Sequence, residues 1–212
     1  MKRLSLAGVA LFLVVALIIG GLFWRIGSLH SQTETAAAAT PAGDFGGPFS
    51  LTDQNGTRRT DTDFRGKYML IFFGYTYCPD ICPTMLAVEA EALDKLGSRA
   101  GQITPIFVSV DPKRDTPNRL KSYLSAFDAK PRSARPDFVG LTGSGEDIAK
   151  AANAYRVYYR AHLDGQTEDG ADYSVDHTTE VYLMDPAGKF VAYYSEGISP
   201  DEMAADLKKN IR

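Results

Sequence analysis

The stretch Tyr68-Met69-Leu70-Ile71-Phe72-Phe73-Gly74-Tyr75-Thr76-Tyr77-Cys78-Pro79-Asp80-Ile81-Cys82-Pro83 holds both cysteines of the 212-residue chain, and the reading of the rest depends on it. Its first six residues form a continuous apolar, aromatic-rich run, the pattern of a buried strand. From Thr84 to Leu96 the apolar residues recur at helical spacing. A strand therefore runs into the cysteines and a helix leaves them. Pro83 disfavours helical backbone for the residue before it and suits the first helical position. Cys82 is accordingly expected at the N-cap, with Cys78 in the loop ahead of it. Unpaired amides and the positive end of the helix dipole favour an anion there, which eases thiolate formation at Cys82 and less strongly at Cys78.

On the N-terminal side, Phe49-Ser50-Leu51-Thr52 and Thr57-Arg58-Arg59-Thr60 flank Asp53-Gln54-Asn55-Gly56, whose Asn-Gly pair signals a hairpin turn. On the C-terminal side, Ile103 to Val110 reads as a second buried strand. Asp111-Pro112-Lys113-Arg114-Asp115-Thr116-Pro117 follows, with Thr116 as N-cap and Pro117 at the first position of a helix running to about Phe127. A short strand is expected over Phe138 to Leu141, a helix over Gly145 to Tyr155, a strand over Val157 to His162 and an exposed polar loop over Asp164 to Asp172. Thr179 to Met184 and Phe190 to Tyr194 form a second hairpin, and Ser199-Pro200-Asp201-Glu202 supplies a capping box for the last helix. Alternating strands and helices, closed by a hairpin and a helix, make a three-layer α/β sandwich with a mixed central sheet.

The chain begins differently. Lys2 and Arg3 precede an uncharged run from Leu4 to Trp24, about the twenty residues that span a bilayer, with Trp24 and Arg25 suited to the far interface. Residues 1–25 are expected to be a membrane anchor. A cleaved signal peptide would have an apolar core of about 7–15 residues, and the small-residue stretch Ala36 to Ala39 lies well past the apolar end. The basic N-terminal flank leaves the rest of the chain on the outer face of the inner membrane, periplasmic or equivalent. Residues 26–48, rich in Ser, Thr, Ala, Gly and Pro, read as a flexible linker to a folded domain over 49–212. No internal repeat is visible. A formal charge of −3 gives no electrostatic reason to expect nucleic-acid binding.

Two cysteines in an oxidising space would ordinarily be a structural disulfide. A bridge closing so short a loop removes little chain entropy, however, and the spacing differs from the Cys-x-x-Cys of thioredoxin-type oxidoreductases. Two thiolates with one imidazole suit a soft or borderline ion: copper(I) accepts low coordination with sulfur, whereas zinc would want a fourth partner. Of the three histidines, His30 falls in the linker and His162 ends a strand beside a polar loop, a surface position. His177 precedes an apolar strand. In a thioredoxin-like sheet the loop entering that strand lies beside the cysteine loop, so His177 alone has a route to the sulfurs, although a strand-capping histidine reads the same way. Asp80 is read as a helix-entry carboxylate, with an outer or fourth metal contact as the other reading. Asp111, Arg114 and Asp115 read as a turn held by Asp–Arg pairing and a helix cap. Phe72, Phe73, Tyr75 and Tyr77 read as core and loop support.

Gly74 to Pro83, Val108 to Pro117, Val175-Asp176-His177-Thr178 and Tyr182-Leu183-Met184-Asp185, behind an N-terminal anchor, closely resemble the Sco/SenC family over essentially the whole soluble part. The resemblance implies a thioredoxin-like fold. It also implies a protein that binds copper(I) or copper(II) and helps assemble the copper-A centre in subunit II of cytochrome c oxidase. It maps the copper ligands onto Cys78, Cys82 and His177. Expected partners are that subunit, other copper chaperones or thiol reductants, and the membrane. The alternative function is a thiol-disulfide reductase that keeps the target's cysteines reduced. Thioredoxin-like reductases usually carry a proline just before the strand that here starts at Thr179. This chain has Asp176-His177-Thr178 there, which favours metal binding. A peroxidase is disfavoured, because the loop lacks the Thr-x-x-Cys pattern.

Overall fold

The apolar run that ends in the cysteine loop is an interior strand of a seven-stranded mixed sheet in the computed structural model, which describes residues 45–128, 134–162 and 173–211. In chain order the elements are β1 (Ser50–Asp53), β2 (Arg58–Thr60), β3 (Tyr68–Gly74), α1 (Ile81–Leu96), β4 (Ile103–Ser109), α2 (Pro117–Leu124), β5 (Val139–Thr142) and α3 (Gly145–Ala154). They continue with β6 (Tyr159–His162), β7 (Ser174–His177), β8 (Val181–Met184), β9 (Phe190–Tyr194) and α4 (Pro200–Asn210). The sheet order is β2-β1-β5-β4-β3-β8-β9. β3, β4 and β5 run parallel, whereas β8 joins β3 antiparallel and β1 joins β5 antiparallel.

β3 is apolar throughout because both of its faces are covered, and burying a side chain the size of Phe contributes about 1.5–3 kcal/mol. Its side chains alternate between the two faces. Phe72 meets Phe107, and Phe107 meets Tyr123 of α2 on one side. Phe73 meets Tyr155, just after α3, and Tyr182 on the other. The first side also carries α1, packed along α4, with Tyr194 donating to Asp206 of α4. Helices thus cover both faces of the sheet, as the alternating pattern required. The local signals held as well. Gly56, at φ +82°, closes the first hairpin; Thr116 Oγ1 accepts from the Arg119 amide; Ser199 and Glu202 cap each other.

The strand expected over Val157 to His162 forms over Tyr159–His162 and pairs with Ser174–His177, a strand the sequence does not suggest, in a separate two-stranded ribbon. Two expectations are corrected. α1 begins at Ile81, with Asp80 as N-cap, so Cys82 is the second helical residue and Pro83 the third. Proline is tolerated there because the first four amides of a helix have no intrahelical acceptor. Residues 45–48, expected in the linker, pack on the domain: Phe45 meets Tyr182 and Phe190, and the Gly46 amide donates to the Ala154 carbonyl. The expected anchor over 1–25, most of the linker including His30, and the polar loop after β6 lie outside the described residues. Among the described residues no helix is long and apolar enough to cross a membrane.

Glu89 was not foreseen. It lies on the inner face of α1 with no exposed surface, and neither carboxyl oxygen has a hydrogen-bond partner among the described residues. Burial alone pushes its pKa well above the usual carboxylate range.

Candidate metal centre

Cys78, Cys82 and His177 converge, with one ligand atom from each lying within 4.8 Å of the others. The two sulfurs come from the β3–α1 junction and the imidazole from the end of the β6–β7 ribbon. Both cysteines are free thiols. Cys82 is fully buried and Cys78 is half-buried, so one sulfur is sealed in the core and the other faces the rim. The seal depends on Gly74: a Cβ at that position would fall 2.7 Å from Cys82 Sγ and 2.9 Å from the Phe107 ring. Only glycine lets the end of β3 approach the buried sulfur so closely.

Cys78 occupies the position that would otherwise belong to a capping oxygen. The Cys82 amide donates to Cys78 Sγ at 3.4 Å, and the Asp80 side chain makes no cap hydrogen bond. The anion preference of the helix start is therefore met by the Cys78 sulfur. Its pKa is lowered to about 3, chiefly because the Cys82 thiol donates to it, with further help from His177 and the Cys82 and Asp80 amides; burial opposes the shift. Cys82 is pushed up by that same donated bond, by burial and by the negative charge on its neighbour. The expectation that the charge would settle mainly on Cys82 is thus corrected. The helix starts earlier than Pro83 implied, which turns Cys82 into the donor and Cys78 into the acceptor.

His177 arrives through cross-strand pairing. It lies opposite Tyr159, and the next residue is tied down twice, by the Thr178 amide on the Tyr158 carbonyl and the Tyr158 amide on Thr178 Oγ1, both at 3.0 Å. His177 Nδ1 lies 2.8 Å from the Thr178 carbonyl oxygen, and Nε2 lies 3.4 Å from Cys82 Sγ. A carbonyl only accepts, so Nδ1 carries a proton toward it, and this bond turns Nε2 toward the sulfurs. The ring is wedged edge-on against Tyr75 and Phe72, with centroids 5.8 and 6.1 Å away. Two sulfurs and an imidazole nitrogen form a donor set for a soft or borderline metal ion.

The other sequence candidates are placed as follows. Asp80 is exposed at the helix entry and outside the converging group. His162 bonds Asp176 Oδ2 at 2.5 Å on the exposed side of the ribbon. Asp111 pairs with Arg114 as expected and also accepts from the Tyr173 hydroxyl, each at 2.5 Å. Asp115 does not cap the helix. It is wholly buried and accepts from the Thr76 amide, the Thr76 hydroxyl and the Ser109 hydroxyl at 3.0, 2.7 and 2.6 Å. Phe72, Phe73 and Tyr75 are core, whereas Tyr77 is 49% exposed and carries the guanidinium groups of Arg114 and Arg119 against its ring at 4.5 and 4.7 Å.

A family model described as SCO1/SenC matches residues 37–212. A SCO2-like protein of Rickettsia felis is 35% identical over 207 residues, covering 95% of this chain and 97% of that one. The human mitochondrial SCO1 homolog is 40% identical over 170 residues; that match takes in 79% of this chain and only 53% of the human protein, so this chain spans about half the length of that relative. Bradyrhizobium japonicum ScoI, solved with copper bound, is 48% identical over 78% of this chain and 99% of that one, with a TM-score of 0.68. With the family match running over residues 37–212, and a relative 35% identical over 95% of the chain, the chain belongs to the SCO1/SenC family.

Proposed function

We propose that this protein is a membrane-anchored copper carrier of cytochrome c oxidase assembly. It binds copper through Cys78, Cys82 and His177 and passes it by ligand exchange to the copper-A site of subunit II. The observation that carries the reading is the convergence of two sulfurs and an imidazole Nε2 within 4.8 Å, from two separately anchored elements. A copper-bound structure of a close relative supports the choice of metal. The half-buried Cys78 is the ligand an incoming acceptor group reaches first, while Cys82 and His177 retain the ion from behind. Cys78 meets the metal already ionised, and Cys82 gives up its proton on binding. The run Leu4 to Trp24 serves as the anchor, holding the domain on the outer face beside its target. A soluble mature chain beginning after Ala36 to Ala39 would contradict that placement.

One observation favours a second reading. A low-pKa, half-exposed thiol beside a buried partner is also the arrangement of an attacking and a resolving cysteine, as in a thiol-disulfide reductase acting on the target's cysteines. Thermal unfolding of the full-length protein in detergent separates the two. A ligand that binds only the folded state stabilises it by about 4 kcal/mol at a thousandfold excess over Kd. Copper(I) is expected to raise Tm clearly with the cysteines reduced and almost not at all once they are joined as a disulfide. Equal shifts in both forms would place the metal elsewhere.

A further inference from the structure

We propose that Thr76 and Asp115 form a latch that positions the cysteine loop for metal, making them positioning residues of the copper site; this rests on the copper reading above. Cys82 is fixed by α1 and by the wall of Gly74 and Phe107. His177 is fixed by strand pairing. Cys78 belongs to no helix or strand: it lies in a loop, with its own amide on the Tyr75 carbonyl and its sulfur against Cys82 and the first amides of α1. Its position therefore depends on what holds the residues just before it.

Thr76, two residues upstream, is gripped at both ends by one carboxylate. Its amide donates to Asp115 Oδ2 and its hydroxyl to Asp115 Oδ1, which fixes the backbone and the side chain together. The hydroxyl also accepts from Arg119 Nε at 3.0 Å, so its donor and acceptor roles are both used. Asp115 is tied in turn to the end of β4 through Ser109, and it directly precedes Thr116, the N-cap of α2. Thr76 is 5% exposed and Asp115 has no exposed surface. A carboxylate held there must keep its donors, because an unpaired buried charge is strongly disfavoured. The latch thus transmits the position of β4 and α2 to the loop bearing Cys78. A loop held in place before the metal arrives loses less freedom on binding, and affinity rises accordingly.

The test uses full-length protein in detergent and four variants: Thr76→Val, which removes only the hydroxyl bonds; Thr76→Ser, which retains them; Asp115→Asn; and Leu207→Ala, a destabilising change in α4. Copper(I) affinity is measured by competition with a chromophoric chelator. Amide hydrogen exchange at Thr76, Tyr77 and Cys78 is measured on the metal-free reduced protein, well below Tm. Loss of a hydrogen bond to a buried carboxylate is expected to weaken copper(I) binding about tenfold in Thr76→Val, to speed loop exchange, and to be reversed in Thr76→Ser. Leu207→Ala should lower Tm without either effect. Folded Thr76→Val with parental affinity and parental exchange would overturn the proposal, and it decides the matter even where Asp115→Asn fails to fold. Failure of the parent to bind copper would sink the copper reading instead, while the exchange measurement on metal-free protein still tests the latch.

Discussion

The imidazole of His177 is oriented by the next residue in the chain: Nδ1 donates to the Thr178 carbonyl at 2.8 Å, and this leaves Nε2 facing Cys82 Sγ at 3.4 Å. A side chain that served only to cap a strand would have no need to send its free nitrogen into a pair of thiols. His177 is therefore the residue that separates metal carriage from simple thiol chemistry, since disulfide exchange requires the sulfurs alone.

Replacing His177 with Ala is expected to leave both cysteines and the start of α1 in place, so reduction of a target disulfide should largely survive. Copper binding should not. Partners of a metal ligand alone are commonly worth about 10- to 100-fold in affinity, and loss of a ligand is expected to cost at least that. Cells carrying His177→Ala should assemble oxidase nearly as poorly as Cys78→Ser or Cys82→Ser cells, with some recovery in added copper. Parental copper affinity together with full oxidase activity would return the reductase reading to first place.

Cys78 offers a check on the charge distribution in the metal-free site. An ordinary thiol, near 9.0, loses about tenfold in thiolate for each pH unit below that value. With Cys78 lowered to about 3, its alkylation by iodoacetamide should be nearly flat between about pH 5 and pH 8, whereas Cys82 should stay unreactive. The same shift favours the folded state in full above the unfolded value near 9.0, and the contribution is lost as pH falls through the folded value. Peptide mapping of the alkylated protein across that range is the measurement. A profile that climbs tenfold per unit would place the charge elsewhere.

Glu89 makes an opposite demand on pH. Its folded-state pKa is raised, so above the ordinary 4.5 the unfolded chain releases a proton that the folded chain keeps. Stability should therefore fall as pH rises through that region, with a slope of up to about 1.4 kcal/mol per pH unit until the folded carboxyl itself ionises. Glu89→Gln should remove that slope and stand above the parent at pH 8 in urea unfolding. A variant that parallels the parent at every pH would mean that the carboxyl is not sealed as described.

The particular residues show where sequence reasoning reached and where it stopped. The run before the cysteines, the Asn-Gly turn, the Thr116-Pro117 helix start and the Ser199–Glu202 box are local signals, and each stands where its pattern put it. β7 went unseen because Ser174-Val175-Asp176-His177 has one buried apolar residue and owes its strand form to pairing with β6 rather than to its own alternation. The start of α1 was misplaced because Pro83 fits the third helical position as well as the first, and nothing in the spacing told that a sulfur would take the capping role. Thr76 and Asp115 stand 39 residues apart and meet only in the fold. Glu89 sits at a helical-face position that an apolar residue would have filled without comment.

The central claim is that Cys78, Cys82 and His177 together hold copper, and X-ray absorption at the copper edge tests it most directly. Full-length reduced protein in detergent, loaded with one equivalent of copper(I), is expected to show two sulfur scatterers and one imidazole nitrogen. The nitrogen should vanish in His177→Ala, and a sulfur should vanish in each single cysteine variant. A spectrum of the parent without sulfur, or one that all three substitutions leave unchanged, would contradict the account.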